Sequence, residues 1–301
     1  MPAPTPSIAV LLRCEHQEFQ QEQAAAARST GEREGVSIEV DFADNSPFAQ
    51  IQQVLSFVKR PPELRPVAVV IELVGATEGY KTTAREALSV GVAWVEVSGL
   101  AASIPLLRSE FPGRFVMSVT TKEGDIGRIH ASQCRAILPA GGSILYIEGP
   151  SLQPEVQARR RGLEKGLRGA HITIERTLAG DWTDESAERA MTTFLDRPSG
   201  QGFMPALVCA QSDEMALGVR RIAIEHHPDW ARLPYLGCDG LPSGGQKYVE
   251  EGLLAATVVK PITTGVAVEA ALGMLRGKRP RDIALAPESL PKLDAIGPGQ
   301  R

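Results

Sequence analysis

Asp239 is the residue whose position points most directly to chemistry. It follows a predicted buried strand at residues 235–238 and lies between glycines that allow a tight turn. A carboxylate at the carboxyl end of a parallel strand faces the edge where α/β sheets bind ligands, and it can accept two hydrogen bonds from hydroxyl groups. Alternatively, Asp239 only caps the turn that follows. The sequence leaves both interpretations open.

Short catalytic motifs are missing from the sequence. No G-x-G-x-x-G follows a predicted strand, and G-x-x-x-x-G-K-[ST], H-E-x-x-H, C-x-x-C and G-x-S-x-G do not occur. The His226-His227 pair is typical of a helix end, and Cys209 and Cys238 of buried structural thiols. We therefore expect no enzyme, no cofactor and no metal site.

Composition and charge exclude further classes of protein. The chain has 301 residues, enough for about two domains, and a net charge of -4, which disfavours nucleic-acid and anionic-membrane partners. No apolar run approaches the roughly 18 residues of a membrane span, and the start lacks a basic, apolar leader. We expect a monomer without nucleic acid or membrane span. We expect it to be cytoplasmic as written, or periplasmic if a leader is missing from this sequence.

The elements that must position these side chains alternate regularly along the first part of the chain. Glycine at 35 ends one polar helix, and Ser46-Pro47 begins the next. The predicted strands cover residues 8–12, 37–42, 67–73, 92–97 and 115–119, and the predicted helices cover residues 16–34, a segment after Pro47, and 78–90.

The same alternation restarts after residue 121. Strands are predicted at 143–147, 171–177, 206–210, 235–238 and 253–259, and helices at 125–137, 156–167, 184–195, 213–224, 245–251 and 263–276. Strands that alternate with helices imply parallel sheets covered on both faces. The sequence therefore predicts an α/β protein with two doubly wound lobes.

Three runs in the second half are more specific. They are A-Q-S-D-E-M-A-L-G (210–218), G-C-D-G (237–240) and E-G-L-L-A-A-T-V (251–258), followed by Gly265 and L-R-G-K (275–278). In this order and spacing they resemble type I periplasmic binding proteins, above all the ribose-type sugar-binding receptors of ABC importers. The ligand-sensing part of lactose-repressor-type regulators shares that fold. The resemblance spans roughly residues 7–296.

The resemblance implies an organisation of the chain. Two Rossmann-like lobes would be joined by three crossings, near Thr121, Lys260 and Ala286, with the ligand in the cleft. Lobe one would comprise residues 7–121 plus 261–284, and lobe two residues 122–260 plus 285–296. Residues 1–6 and 297–301 would be flexible tails.

The resemblance also implies a set of ligand-binding residues. Glu15, His16, Gln17 and Phe19 occupy the loop after the first strand, and the other candidates are Glu72, Ser98, Arg159, Trp182, Ser212, Asp239 and Lys260. Carboxylates and a guanidinium can bond sugar hydroxyls, while an aromatic ring covers the C–H face of a sugar. Arg159 could instead belong to an exposed charged helix face, and Trp182 to the core. Ser98-Gly99 and Ser212 depart from the family pattern, where Asp-Arg and Asn are frequent.

The leading hypothesis is a non-catalytic solute receptor that closes two lobes on a small polar ligand, with a sugar as the expected ligand, and serves the permease of an ABC importer. The alternative is a cytoplasmic ligand sensor or orphan regulator on the same fold. Because the predicted first strand begins at Ile8, we expect no DNA-binding headpiece.

Overall fold

The computed structural model describes residues 6–75, 78–99 and 101–300. The chain divides into two compact units. Unit 1 comprises Met1–Thr121 and Ile262–Leu285, and unit 2 comprises Lys122–Pro261 and Ala286–Arg301. Residues 1–5 and 301 of the predicted tails lie outside the described residues.

Unit 1 is built on a parallel sheet. Its strands are β1 (Ser7–Leu12), β2 (Ser37–Phe42), β3 (Ala68–Ile71), β4 (Ala93–Val97), β5 (Val116–Thr121) and β11 (Ile283–Leu285). They lie in the order β11-β5-β4-β3-β1-β2, and each neighbouring pair is parallel. The side chains of β1 and β3 are buried on both faces of the sheet, as near-continuous apolar runs predict.

Helices cover both faces of this sheet. They are α1 (Glu18–Glu34), α2 (Pro47–Val58), α3 (Glu78–Ser89), α4 (Ile104–Glu110) and α10 (Thr264–Leu275). Apolar residues of α1 and α10 form one core with the sheet, and those of α2, α3 and α4 form a second core on the other face. This arrangement leaves the carboxyl ends of the strands to the connecting loops.

Local sequence signals set two of these helix ends. Helix α1 stops at Gly35, whose φ of 70° is a left-handed conformation that glycine adopts without strain. Helix α2 begins after Ser46, whose hydroxyl accepts a hydrogen bond from the Ala49 N–H at 3.2 Å. Both boundaries agree with the signals in the sequence.

Unit 2 repeats the architecture. Its strands are β6 (Gly142–Glu148), β7 (Ile172–Ala179), β8 (Leu207–Ala210), β9 (Tyr235–Asp239), β10 (Ala256–Val259) and β12 (Glu288–Leu290), in the order β12-β10-β9-β8-β6-β7. The predicted α/β class with two doubly wound lobes on parallel sheets is confirmed. Each sheet has six strands where the sequence predicted five, and β12 is antiparallel to β10. Strand β12 follows β11 after two residues, so no crossover helix precedes it.

Helices again flank the sheet of unit 2. They are α5 (Glu123–Ile137), α6 (Pro154–Leu167), α7 (Asp184–Leu195), α8 (Asp213–His226) and α9 (Lys247–Glu250). Helices α5 and α6 approach closely because each has a glycine that faces the backbone of the other helix. A Cβ atom at Gly127 would lie 1.9 Å from the Arg159 carbonyl oxygen, and one at Gly162 would lie 2.2 Å from the Gly124 carbonyl oxygen. This contact fixes the helix that carries Arg159.

Some elements were not predicted. Helix α4 has seven residues, of which only Ile104 and Leu107 are buried, so no helical periodicity is visible in the sequence. Strands β11 and β12 have three residues each. In the predicted C-terminal tail, the Gly299 N–H donates to the Ile137 carbonyl at 3.3 Å and the Gln300 amide donates to the Ala255 carbonyl at 2.9 Å. The described part of this tail is therefore bonded to unit 2.

Candidate functional site

The loop between β1 and α1 carries the first group of predicted residues in unit 1. Glu15 and His16 are exposed in the turn that precedes α1, whereas Phe19 is 8% exposed and belongs to the buried side of the helix. The Gln21 amide donates to the Glu15 carbonyl at 2.6 Å and holds this turn against α1. The loop thus presents polar side chains at its surface and an aromatic side chain beneath it.

Glu72 follows β3 directly and is buried. Its Oε2 accepts a hydrogen bond from the Gln20 amide at 3.1 Å, and its Oε1 lies 4.0 Å from the Arg13 guanidinium. The Gln20 Oε1 in turn accepts a bond from the Arg13 backbone N–H at 3.1 Å. Two residues that the sequence analysis did not name therefore orient the Glu72 carboxylate at the end of its strand.

Ser98 follows β4, the neighbour of β3, and has a left-handed backbone with φ 57°. Its hydroxyl lies 3.3 Å from the Thr263 hydroxyl. The Gln23 Oε1 on α1 accepts the backbone N–H groups of Thr263 and Thr264, each at 3.0 Å. A side chain from another helix thus satisfies the first N–H groups of α10 and fixes the partner of Ser98.

Arg159 is buried rather than exposed, which contradicts the interpretation of α6 as a charged surface at this position. Its Nε donates to Glu123 at 2.7 Å, and its Nη1 donates to the Gln211 carbonyl at 2.7 Å. Burial alone would lower the pKa of this guanidinium, but the nearby Glu123, Cys238 and Asp239 raise it above its ordinary value. Arg159 therefore carries a permanent buried positive charge.

Trp182 packs beside Arg159. The indole N–H donates to Gln153 Oε1 at 2.9 Å, and the Arg159 guanidinium carbon lies 5.3 Å from the ring centroid. A Cβ atom at Gly149 would lie 2.4 Å from the indole, so the ring lies directly on that glycine's backbone. Trp182 is only partly buried, and its φ of 81° is a genuine outlier for a bulky residue.

Ser212 and Asp213 begin helix α8. The Ser212 hydroxyl accepts the Met215 N–H at 3.2 Å and so acts as the N-cap of the helix. Asp213 is buried; its Oδ2 accepts the Gly240 N–H at 2.7 Å and its Oδ1 accepts the Thr257 hydroxyl at 2.6 Å. Burial, followed by the negative charge of Asp239, raises the pKa of Asp213 well above its ordinary value. Asp213 thus ties α8 to the loop that holds Asp239.

Asp239 ends β9 with φ 105°, a conformation that favours glycine. Its carbonyl accepts the Lys260 N–H at 3.0 Å, which places Lys260 at the end of the adjacent strand β10. Asp239 is partly exposed, whereas Lys260 is 9% exposed. Both residues lie at the carboxyl edge of the unit 2 sheet.

The structure brings some predicted residues together and assigns others to local roles. In unit 2, Arg159 contacts Trp182 and interacts electrostatically with Asp239, while Ser212 caps a helix. Glu123, which is 36 residues from Arg159 and has no local signal, was not predicted. Gln211 was not predicted either, although it lies inside the A-Q-S-D run. Together these groups offer hydrogen-bond donors, acceptors and one aromatic face.

Residues 6–75, 78–99 and 101–300 contain neither a membrane-spanning helix nor a cluster of metal ligands. No helix in these ranges is long and apolar enough to span a membrane. No three histidine, cysteine, aspartate or glutamate residues in the same ranges are grouped so as to hold a metal ion.

Two α/β units with these strand orders, and with polar residues at the carboxyl ends of the strands, define the type I periplasmic-binding-protein fold. The sequence matches the periplasmic binding protein domain family over residues 8–279. The chain therefore belongs to this family of non-catalytic receptors. A comparison with curated proteins gives no match.

Solved structures of solute-binding proteins share the fold at low sequence identity. An ABC transporter solute-binding protein of Actinobacillus succinogenes with bound D-allose has a TM-score of 0.82 at 18% identity, over 95% of this chain and 97% of that one. The binding protein of the arabinose ABC transporter of Shewanella sp., bound to L-arabinofuranose, has a TM-score of 0.82 at 19% identity, over 96% of this chain and 93% of that one. The Caulobacter myo-inositol binding protein, bound to myo-inositol, has a TM-score of 0.79 at 19% identity, over 94% of this chain and 92% of that one.

Proposed function

We propose that this protein is a receptor that binds a small polar solute, a sugar or a polyol, as the substrate-binding component of an ABC importer. One observation carries the proposal: Ser98, Trp182 and Asp239, all predicted ligand contacts, adopt left-handed backbone conformations at the ends or flanks of parallel strands. Such conformations cost of order 1–3 kcal/mol each in non-glycine residues and cluster at ligand sites.

The chemistry of the side chains supports a polyhydroxylated ligand. Asp239 can accept two hydroxyl hydrogen bonds, and the Trp182 ring can cover an apolar C–H face. We propose further contacts from Glu72 and Ser98 in unit 1 and from Lys260 in unit 2; Glu15, His16 and Phe19 are the candidates in the loop after β1. Arg159 acts chiefly through Trp182, because Glu123 and Gln211 already engage its guanidinium.

The sugar and polyol class is also supported by the relatives. The structural neighbours named above bind D-allose, L-arabinofuranose and myo-inositol and include components of ABC transporters. Their identity to this chain is 18–19%, and the proposal accordingly names the class of sugars and polyols and no single compound.

A ligand screen tests the function. Thermal shift with D-allose, L-arabinose, myo-inositol and a set of amino acids should reveal a stabilising sugar or polyol, since a ligand at a hundredfold excess over Kd stabilises the native state by about 2.7 kcal/mol. Stabilisation by amino acids alone, or by none of these compounds, would contradict the proposal.

Asp239→Ala is the matching variant. Loss of a charged acceptor typically costs about 1.5–3 kcal/mol, so calorimetric affinity for the best hit should fall about tenfold to a hundredfold. The control is Asp196→Ala, which removes an exposed carboxylate at the carboxyl-terminal end of α7 and should leave affinity unchanged. Unchanged affinity with a lowered melting temperature in Asp239→Ala would make Asp239 a turn cap and remove it from the site.

A further inference from the structure

Glu96 is a buried carboxyl group that the candidate solute site does not use. It lies on β4, two residues before Ser98, and is 3% exposed. Its Oε1 accepts hydrogen bonds from the Trp94 indole N–H at 3.0 Å and from the Ser103 hydroxyl, whereas its Oε2 is buried without a hydrogen-bond partner in the described part of the chain. One carboxyl oxygen therefore joins β4 to the far end of the connection between β4 and α4.

Ser103 occupies the N-cap position of α4 but does not cap the helix. A serine at this position usually accepts a backbone N–H of the first helical turn. The Ser103 side chain makes no such bond, and its hydroxyl donates to Glu96 instead. The Glu96–Ser103 bond therefore satisfies no group of α4. It fixes the distance between Ser103 and the strand seven residues earlier.

The connection between β4 and α4 has a strained backbone. Ser98, Gly99 and Ala101 have φ of 57°, 56° and 47°, in the left-handed region. For serine and alanine such a conformation is unfavourable, and it persists only where surrounding bonds hold it. The start of the connection is held by the contact of the Ser98 hydroxyl described above, and its end is held by the bond from Ser103 to Glu96.

We infer that Glu96 and Ser103 are positioning residues of the solute site: their hydrogen bond holds the connection between β4 and α4 in the conformation that places Ser98 for its contact with the solute. This inference rests on the proposed function, in which Ser98 is a ligand contact. Glu96 and Ser103 act through Ser98 and do not touch the solute themselves.

Ser103→Ala tests the inference with little risk to the fold. It removes the bond to Glu96 without uncapping α4, so the melting temperature of the free protein should change little. Calorimetric affinity for D-allose, L-arabinose or myo-inositol, whichever binds the wild type best, should fall about threefold to tenfold. The control is Ser109→Ala in the same helix, where an exposed hydroxyl donates to the Leu106 carbonyl at 2.7 Å, and it should leave affinity unchanged. Equal affinities of the two variants would overturn the inference.

A double-mutant cycle shows whether Ser103 acts through Ser98. Ser98→Ala should by itself lower affinity at least as much as Ser103→Ala does, and the double variant should bind no more weakly than Ser98→Ala alone. If the two losses of affinity multiply, or if Ser98→Ala leaves affinity unchanged, Ser103 does not act by positioning Ser98. Either result would overturn the inference while the proposed function stands.

Two variants of Glu96 separate positioning from charge. Burial raises the pKa of Glu96, although the bonds from Ser103 and Trp94 lower it, so a neutral group of the same shape suits this place. Glu96→Gln keeps an oxygen that can accept both hydrogen bonds and should bind the probe as the wild type does. Glu96→Leu removes both bonds and should reproduce the loss of affinity of Ser103→Ala.

Equal losses of affinity in Glu96→Gln and Glu96→Leu would also overturn the inference, because the shared oxygen would then not matter. A wild type that binds none of the three probes would contradict the proposed function and the inference together.

Discussion

The contact between helices α5 and α6 supports a quantitative prediction about Gly127. An alanine Cβ at this position would lie 1.9 Å from the Arg159 carbonyl oxygen and 2.6 Å from the Leu163 backbone nitrogen. Ordinary van der Waals contact begins near 3.4 Å, so α6 would have to move away by about 1.5 Å. Because both obstacles are backbone atoms, no side-chain rotation can relieve the clash.

We expect Gly127→Ala to lower the free energy of unfolding by about 3 kcal/mol, the upper end of the usual range for overpacking. For a unit of this size the melting temperature should fall by about 6–12 °C. The displacement of α6 would also strain the hydrogen bond of 2.7 Å between Arg159 and Glu123. Because Arg159 lies against the Trp182 ring, the position of that ring should change along with the melting temperature.

Scanning calorimetry of two variants provides the measurement, because it resolves separate transitions if the two units unfold independently. The matched control is Gly124→Ala in the same helix, where the nearest atom to a new Cβ is the Arg128 guanidinium at 3.7 Å. Alanine favours helix over glycine, so this variant should be unchanged or slightly stabilised. Equal melting temperatures for the two variants would refute the close approach of α5 and α6.

Three further predictions concern unit 2. Burial lowers the pKa of His130 from 6.5 to about 4, so between these pH values the unfolded chain binds a proton that the folded chain does not bind. The free energy of unfolding should therefore fall by up to about 3 kcal/mol as the pH decreases from 6.5 to 4. Denaturant titrations across this range should show a weaker pH dependence of the unfolding free energy for His130→Gln, and identical pH dependences in the two proteins would contradict the assignment. Glu123→Ala leaves the buried Arg159 charge without its carboxylate partner, so the free energy of unfolding measured in urea should fall by about 3–5 kcal/mol. A decrease of less than about 1 kcal/mol would show that the ion pair is not buried. Ser212→Ala removes the hydroxyl that accepts the Met215 N–H, so the free energy of unfolding should fall by about 1 kcal/mol while solute affinity stays unchanged. A lower affinity at an unchanged free energy of unfolding would make Ser212 a ligand contact.

Features that depend on neighbouring residues in the chain were predictable from the sequence. Alternating apolar runs and amphipathic segments predict two series of parallel strands and helices, since each element must bury one face. The stop of α1 at Gly35 and the start of α2 at Ser46 follow from local backbone preferences. The place of Asp239 at the end of β9 was predictable in the same way, because a carboxylate between glycines after a strand is a local pattern, while its role in binding stays a prediction.

The partners of the candidate residues were decided by tertiary structure. Glu123 and Arg159 are 36 residues apart, and nothing in the sequence indicates that α5 and α6 bring them into one buried pair. Gln23 and Thr263 are 240 residues apart, joined only because α1 and α10 share a face of the unit 1 sheet. Likewise, only the fold shows that the Ser103 hydroxyl donates to Glu96 and does not cap α4. Burial and hydrogen bonding depend on distances through space, and the order of residues in the chain does not determine those distances until the helices are packed.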